Sequence, residues 1–424
     1  MGNGHMTMSW RMGALGRAAF PVAAAAVAVL LAVSPASADP AFRAWIETLW
    51  PDARAAGVSR ATFDAAFKGV EPDLSLPDLA TSSRPKVSNE GQAEFTKTAK
   101  DYLDTAYLAR LAARGRELAA RHAASLRRIE TEIGVDGPSV LAIWGRETSF
   151  GAYQPPHDAI RALATEAYLG RRKELFRGEL IAALRMLESG VPRAKMRSSW
   201  AGAMGLAQFI PSEYFAHARD MDGDGKADLF GSAGDALGSA AQTLKAKGWV
   251  LGQPWGYEVA VPEGADCGLE GPKQARPLNA WATMGFRRTG GAAFDPKNGE
   301  AEAYLMMPAG AHGPAFLVFE NYRVIRRYNT SDLYAVFVGH LADRIAGGGD
   351  FDTPWAPIAA PKTKTTAEIQ ERLGAQGYPM DKIDGKIGSN TRQQIGAFQR
   401  ARGLAPDCWP SDALLAHLRK TAPR

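Results

Sequence analysis

Cysteine is nearly missing from this chain of 424 residues: only Cys267 and Cys408 occur. So few exclude a disulfide-stapled scaffold and a cysteine-rich zinc module. Histidine is sparse as well, at 7 residues. No H-E-x-x-H helix and no G-x-S-x-G elbow is present, which argues against a metallopeptidase or a serine amidase. Beyond the N-terminus no apolar run reaches membrane-spanning length, so no membrane anchor is expected in the mature chain. There is no internal repeat. Charge of one sign is scarce too: the net charge is +5, too small an excess to argue for nucleic acid. What is present, 46% hydrophobic residues and 10 Trp, suffices for a packed core, while 44 Gly and 26 Pro require long loops.

The first 38 residues carry Arg11 and Arg17 but no acid, then an apolar run from Ala18 to Val33 interrupted by Pro21, then Ala36-Ser37-Ala38. This pattern predicts a cleaved secretory signal peptide and a periplasmic protein. No cysteine follows the cleavage site, so no lipid attachment is expected there. Cys267 and Cys408 lie far apart and in different expected domains, and two unpaired, buried thiols are the expectation.

Periodicity predicts an α+β chain that is mostly α. Helical patterning fills 39–151, including a stretch from Glu94 to Ile133 broken only by Gly115, and resumes over 159–190 and 234–248. Short strands are expected at 257–261, 303–307 and 315–319, a small β excursion within a helical body. Helix returns over 331–346. Gly347-Gly348-Gly349 with Pro354, Pro357 and Pro361 opens a linker. The expected domains are therefore a signal peptide (1–38), a large body (39–347), a linker (348–364) and a small helical module (365–424). The basic excess sits in the module: residues 362–424 carry +5, residues 39–361 carry −2.

One segment concentrates chemistry. Pro138 suits the first turn of a helix and Gly151 the position just past its end. Val140, Ile143, Trp144 and Glu147 then fall at i, i+3, i+4 and i+7, which puts a carboxylate at the end of an apolar stripe. Desolvation there favours the protonated acid, and such an acid can donate to a glycosidic oxygen. The alternative is that Glu147 pairs with Arg146, Arg171 or Arg172 and merely caps the helix.

Ile143-Trp144-Gly145-Arg146-Glu147-Thr148-Ser149-Phe150-Gly151, Leu163-Ala164-Thr165, Arg171-Arg172 and Ser199-Trp200-Ala201-Gly202-Ala203-Met204-Gly205-Leu206-Ala207-Gln208-Phe209 resemble the membrane-bound lytic transglycosylase B family. The likeness continues through Asn321-Tyr322-Arg323-Val324-Ile325 and Tyr328-Asn329-Thr330-Ser331 to about Gly347. It implies a lysozyme-like catalytic domain that cleaves the MurNAc-β-1,4-GlcNAc bond of peptidoglycan without water, leaving 1,6-anhydro-MurNAc ends. Glu147 would be the single acid and base. Gln208, Phe209, Tyr328, Asn329 and Tyr334 would line the glycan cleft, and Arg171 and Arg172 would meet stem-peptide carboxylates, with an ordinary surface pair as the alternative for these two. A hydrolytic muramidase would need a second carboxylate, for which Glu213 is the obvious residue; otherwise Glu213 reads as a solvated acid at a helix start. Gln242-Thr243 stands where relatives carry Asn-Tyr, which removes an aromatic contact. A catalytically silent wall-binding scaffold is the third reading.

Asp220, Asp222, Asp224 and Asp228 occupy positions 1, 3, 5 and 9 of a calcium-loop pattern, with Lys226 at position 7 and Gly225 at 6. Gly231 replaces the usual closing Glu, and Asp235 is the next acid. Structural Ca2+ is expected, with no organic cofactor. Residues 369–404 resemble the small three-helix peptidoglycan-binding domain, with Cys408 where glycine is expected. Glycan strands and stem peptides are the expected partners, nucleic acid is not, and a monomer is expected.

Overall fold

The computed structural model describes residues 40–80, 96–360 and 362–420. The expected signal peptide lies outside them. Three short helices, Pro40–Glu47, Trp50–Ala55 and Arg60–Phe67, pack on the helix pair Ala159–Leu169 and Lys173–Glu188 around Phe42, Phe63, Leu163, Phe176 and Leu180. A second and larger core surrounds helix Gly137–Thr148, enclosed by helices Thr105–Arg121, Ala233–Ala246, Glu320–Tyr328 and Asp332–Ile345. Local capping explains the helix starts: Asp104, Asp136, Asp158, Ser232 and Ser331 each accept a backbone N–H three residues on.

Gly115 does not break its helix. The segment Thr105–Arg121 is continuous, and a Cβ on Gly115 would come within 2.6 Å of the Ile345 side chain. The glycine is there for close approach of two helices, at a modest propensity cost of about 1 kcal/mol.

The β excursion is a five-stranded antiparallel sheet, in the order Arg276–Pro277, Glu302–Met306, Ala315–Val318, Gly256–Ala260, Arg287–Arg288. Leu317 faces Tyr257 on one side and Leu305 on the other. Past Ile345 the chain has no regular element until Thr363, yet it is held down. The Asp352 and Thr353 N–H groups donate to Glu258 at 2.9 and 2.7 Å, and Phe351 stacks on His340 with ring centroids 3.8 Å apart.

Helices Thr363–Ala375, Ser389–Ala401 and Asp412–Lys420 close around Ile369, Leu373, Ile395, Phe398 and Leu418. This module is docked on the sheet region by three kinds of contact. Cys267 and Cys408 form a disulfide, with Cα atoms 6.3 Å apart, which corrects the expectation of two free thiols. The expectation failed because it treated the module as separate, whereas docking brings the two positions together. Cys408 has φ +61°, so the backbone there takes the left-handed form that glycine favours, and its N–H donates to Gln399 Oε1 at 2.9 Å. Arg392, 1% exposed, reaches the fully buried Glu270 through Nε at 3.0 Å and Asp332 through Nη2 at 3.2 Å. Removing one member of such a buried set costs about 3–5 kcal/mol, because the others lose their counter-charge. Ala99, Ala309 and Trp409 form an apolar patch on which Leu333, Trp355 and Ile387 pack.

Candidate active site

Helix Gly137–Thr148 begins with Asp136 Oδ1 accepting the Ser139 N–H at 2.9 Å and with Pro138 in its first turn. Val140 and Ile143 are fully buried and Trp144 is 6% exposed. Glu147, one turn further along this stripe, is half-buried. The chain then makes an abrupt exit, with Ser149, Phe150 and Gly151 at φ +49°, +60° and +82°. Left-handed serine and phenylalanine are strained, by about 1–3 kcal/mol each. Phe150 is tucked back under the helix, where a Cβ on Gly145 would lie 2.7 Å from its ring. Thr148 Oγ1 donates to Leu206 O at 2.7 Å and ties the helix end to the glycine-rich loop.

The Tyr334 hydroxyl donates to Glu147 Oε1. Half-buried Tyr328 donates to Ala207 O at 2.6 Å. Burial first, and the Glu147 charge second, raise both phenols well above their ordinary range, so both remain donors at neutral pH. Arg146 feels the Glu147 charge only after those of Tyr102 and Tyr334. Its guanidinium donates to Tyr102 Oη, through Nε at 3.1 Å, and lies 5.1–5.8 Å from the Tyr102, Phe337 and Tyr334 ring centroids. Arg171 and Arg172 converge on Asp78 at 3.6 and 3.0 Å, and Arg172 also covers Phe176 and Trp200. Beside them, Glu166 is fully buried. Burial, then the Asp78 carboxylate, push its pKa up to about 7 against the pull of Arg172, the Asp78 backbone and Arg171.

The glycine-rich loop turns at Gly202 and Gly205, both with positive φ, and a Cβ on Gly205 would press within 2.8 Å of Leu229 O. Gln208 has φ +53°, and its Nε2 donates back to Gly205 O at 3.0 Å. Phe209 is 1% exposed and Tyr334 2% exposed. Both rings are buried, and only the Tyr334 hydroxyl is engaged with Glu147. Asn329 Oδ1 accepts the Ser331 N–H at 3.2 Å. Glu213 starts helix Pro211–His217 and is neutralised by Lys247 at 2.9 Å. Gln242 accepts from Arg219 Nε at 3.2 Å, and Thr243 is buried. A cavity of about 310 Å³ beside Thr148 and Gly151 is lined by Tyr153, Lys195, Arg197, Leu206 and Phe230. No sequence motif marked Tyr153, Lys195 or Arg197.

In the acidic loop, carboxylate oxygens of Asp220, Asp222 and Asp235 lie within 4.8 Å of one another. Asp235 is 1% exposed, and burial raises its pKa. Asp220 is held low by the Gly223 and Gly225 N–H groups. An all-oxygen, all-anionic donor set of this kind suits a hard cation. Asp228 is not in the group: one oxygen meets Lys195 at 3.1 Å, the other accepts the Phe230 and Gly231 N–H groups. Asp224 is exposed and accepts the N–H of Lys226 at 2.8 Å. Asp235, expected from the sequence among the metal-site acids, joins the group from the next helix.

Residues 41–343 match the family described as Transglycosylase SLT domain, and residues 363–418 match a peptidoglycan binding domain family. The chain is 41% identical to SltB3 from Pseudomonas aeruginosa, solved in complex with NAG-anhNAM-pentapeptide. The match covers 89% of this chain and 99% of that one, with a TM-score of 0.80. The Escherichia coli lytic transglycosylase Slt35 in complex with calcium is 25% identical over 73% of this chain and 93% of its own, with a TM-score of 0.57. The membrane-bound lytic murein transglycosylase B of Escherichia coli (strain K12) is 32% identical over 229 residues; the chain spans 52% of itself and 60% of that relative.

Proposed function

The chain belongs to the Transglycosylase SLT domain family, and from that premise we propose that it is a lytic murein transglycosylase, with Glu147 as its one acid and base. The observation that carries this reading is the single oriented carboxylate: Tyr334 fixes Glu147 Oε1, while the other nearby candidate, Glu213, is neutralised by Lys247. Glycosidases that add water use two carboxyl groups, one of them as nucleophile or water activator. Here Glu147 gives its proton to the glycosidic oxygen as the C1–O bond of the muramyl sugar breaks. The resulting carboxylate takes the proton of that sugar's 6-hydroxyl as O6 bonds to C1. Glu147 ends protonated again, and no water enters.

The SltB3 complex contains an anhydro-muramyl product with its pentapeptide, which supports a peptidoglycan substrate with stem peptides for this chain. Digesting purified sacculi with the full chain tests the reading. Mass spectrometry should find anhydro-muramyl ends. Reducing ends would transfer the enzyme to the muramidases, and sacculus binding without soluble fragments would make it a scaffold.

Export to the periplasm is supported by the substrate, by the Cys267–Cys408 disulfide and by the N-terminal pattern. Among the described residues no helix is long and apolar enough to cross a membrane.

For the acidic loop we propose Ca2+ held by Asp220, Asp222 and Asp235, in a structural role. The ion would offset most of the charge of three converging carboxylates, and the loop it braces backs the glycine-rich turn through the Leu206 N–H to Leu229 O bond at 2.9 Å. At a calcium concentration a hundredfold above Kd, binding contributes about 2.7 kcal/mol. Excess chelator should therefore lower the melting temperature by several degrees, and calcium should restore it. A melting curve indifferent to both would remove the site.

A further inference from the structure

The C-terminal module touches the start of the helix that carries Tyr334. Helix Asp332–Ile345 carries Tyr334, the residue that holds Glu147, and its first turn is held from the module side. Arg392 Nη2 donates to Asp332 Oδ2 at 3.2 Å; Asp332 Oδ1 accepts the Tyr322 hydroxyl at 2.9 Å and is ion-paired with Arg326, whose Nε lies 3.1 Å away. Arg392 is itself fixed by Glu270 and, through Nη1, by Ile387 O at 3.0 Å. The next residue, Leu333, packs on the patch formed with Trp409 and Ile387. Residues 332 and 333 are thus held jointly by the body and the module, and Tyr334 reaches the Glu147 carboxylate.

From this geometry we propose that Arg392 is a positioning residue for catalysis, acting through Asp332 and the first turn of this helix on the Tyr334–Glu147 hydrogen bond. The module then has a second role besides holding the wall: the orientation of the acid depends on its being docked. Among the described residues Arg392 is the cation at Asp332 Oδ2, while Arg326 approaches Asp332 through the other oxygen. A shift of the helix start by a fraction of an ångström would swing the Tyr334 hydroxyl, and small misplacements of catalytic groups are expensive in rate.

The inference rests on Glu147 as acid and base. Its test uses the full chain and solubilised glycan strands, with kcat and KM measured across pH for Arg392→Gln, Asp332→Asn, Tyr334→Phe and the doubles with Tyr334→Phe. Asp332→Asn leaves the Arg392–Glu270 pair in place, so it serves if Arg392→Gln does not fold. Each folded single variant should lose about tenfold to a hundredfold in kcat with KM little changed. The pH profile of kcat should shift, because a donor hydrogen bond to a carboxylate favours its ionised form. In the Tyr334→Phe background the further loss should nearly vanish, since both changes act on one bond. Wild-type kcat in a folded Arg392 or Asp332 variant, or losses that simply multiply in the doubles, overturns the coupling. Failure of the underlying reading looks different: the Glu147→Gln variant itself would then remain active.

Discussion

Glu147→Gln releases no measurable anhydro-muropeptide from sacculi, a loss of about a thousandfold or more, and melts within a degree or two of the wild type. The size of the loss follows from the chemistry: glutamine has no proton to give the leaving oxygen and no basic site for the 6-hydroxyl, and general acid–base catalysis alone is worth about a hundredfold to ten-thousandfold. The stability is preserved because the amide oxygen still accepts from Tyr334, while Val140, Ile143 and Trp144 keep the helix buried. Rate assays beside thermal melts decide it, and wild-type-like turnover in a folded Glu147→Gln protein ends the assignment.

The second large effect is on stability and lies away from the chemistry. Glu166 has a pKa pushed up to about 7 in the folded chain against an ordinary value near 4.5. Between those values the folded protein holds a proton that the unfolded chain has released. Its contribution is therefore fully present below about pH 4.5 and is lost as pH rises through 7, with an upper bound on the order of 3 kcal/mol. Glu166→Gln removes the titration. Variant and wild type should melt together at pH 5, and the variant should melt several degrees higher at pH 8. Parallel melting profiles across that range would show that the Glu166 carboxylate is adequately solvated or paired.

The two residues also mark what a sequence can and cannot disclose. Glu147 was legible because everything that places it is local: Pro138 at the helix start and Val140, Ile143 and Trp144 at helical spacing. The strands at 256–260, 302–306 and 315–318 and the three helices of the module were legible for the same reason, alternation or periodicity within a few residues. Glu166 was not, because its neighbours Asp78, Arg171 and Arg172 come from another part of the chain. The ion pairs of Arg171 and Arg172 with Asp78 have no local signal for that reason, and the disulfide has none because 141 residues separate its halves. Tyr334 and Phe209 were marked as cleft residues, but no local pattern tells an exposed ring from a buried one. Left-handed Ser149 and Phe150 had no signal at all, since only Gly151 advertises such a conformation.

The docked module has one more consequence, in the order of events during synthesis. The disulfide closes residues 267–408 into a covalent ring. Tyr328, Asn329 and Tyr334 lie inside that ring, whereas Glu147 and Gln208 precede it. A chain emerging N-terminus first thus presents its acid long before the hydroxyl that aims it, and the clamp on that hydroxyl comes from residue 392, later still. Half a cleft exists early and a whole one only after nearly the last helix is made and the ring is shut. Because the ring shuts only under oxidising conditions, the cleft is completed last.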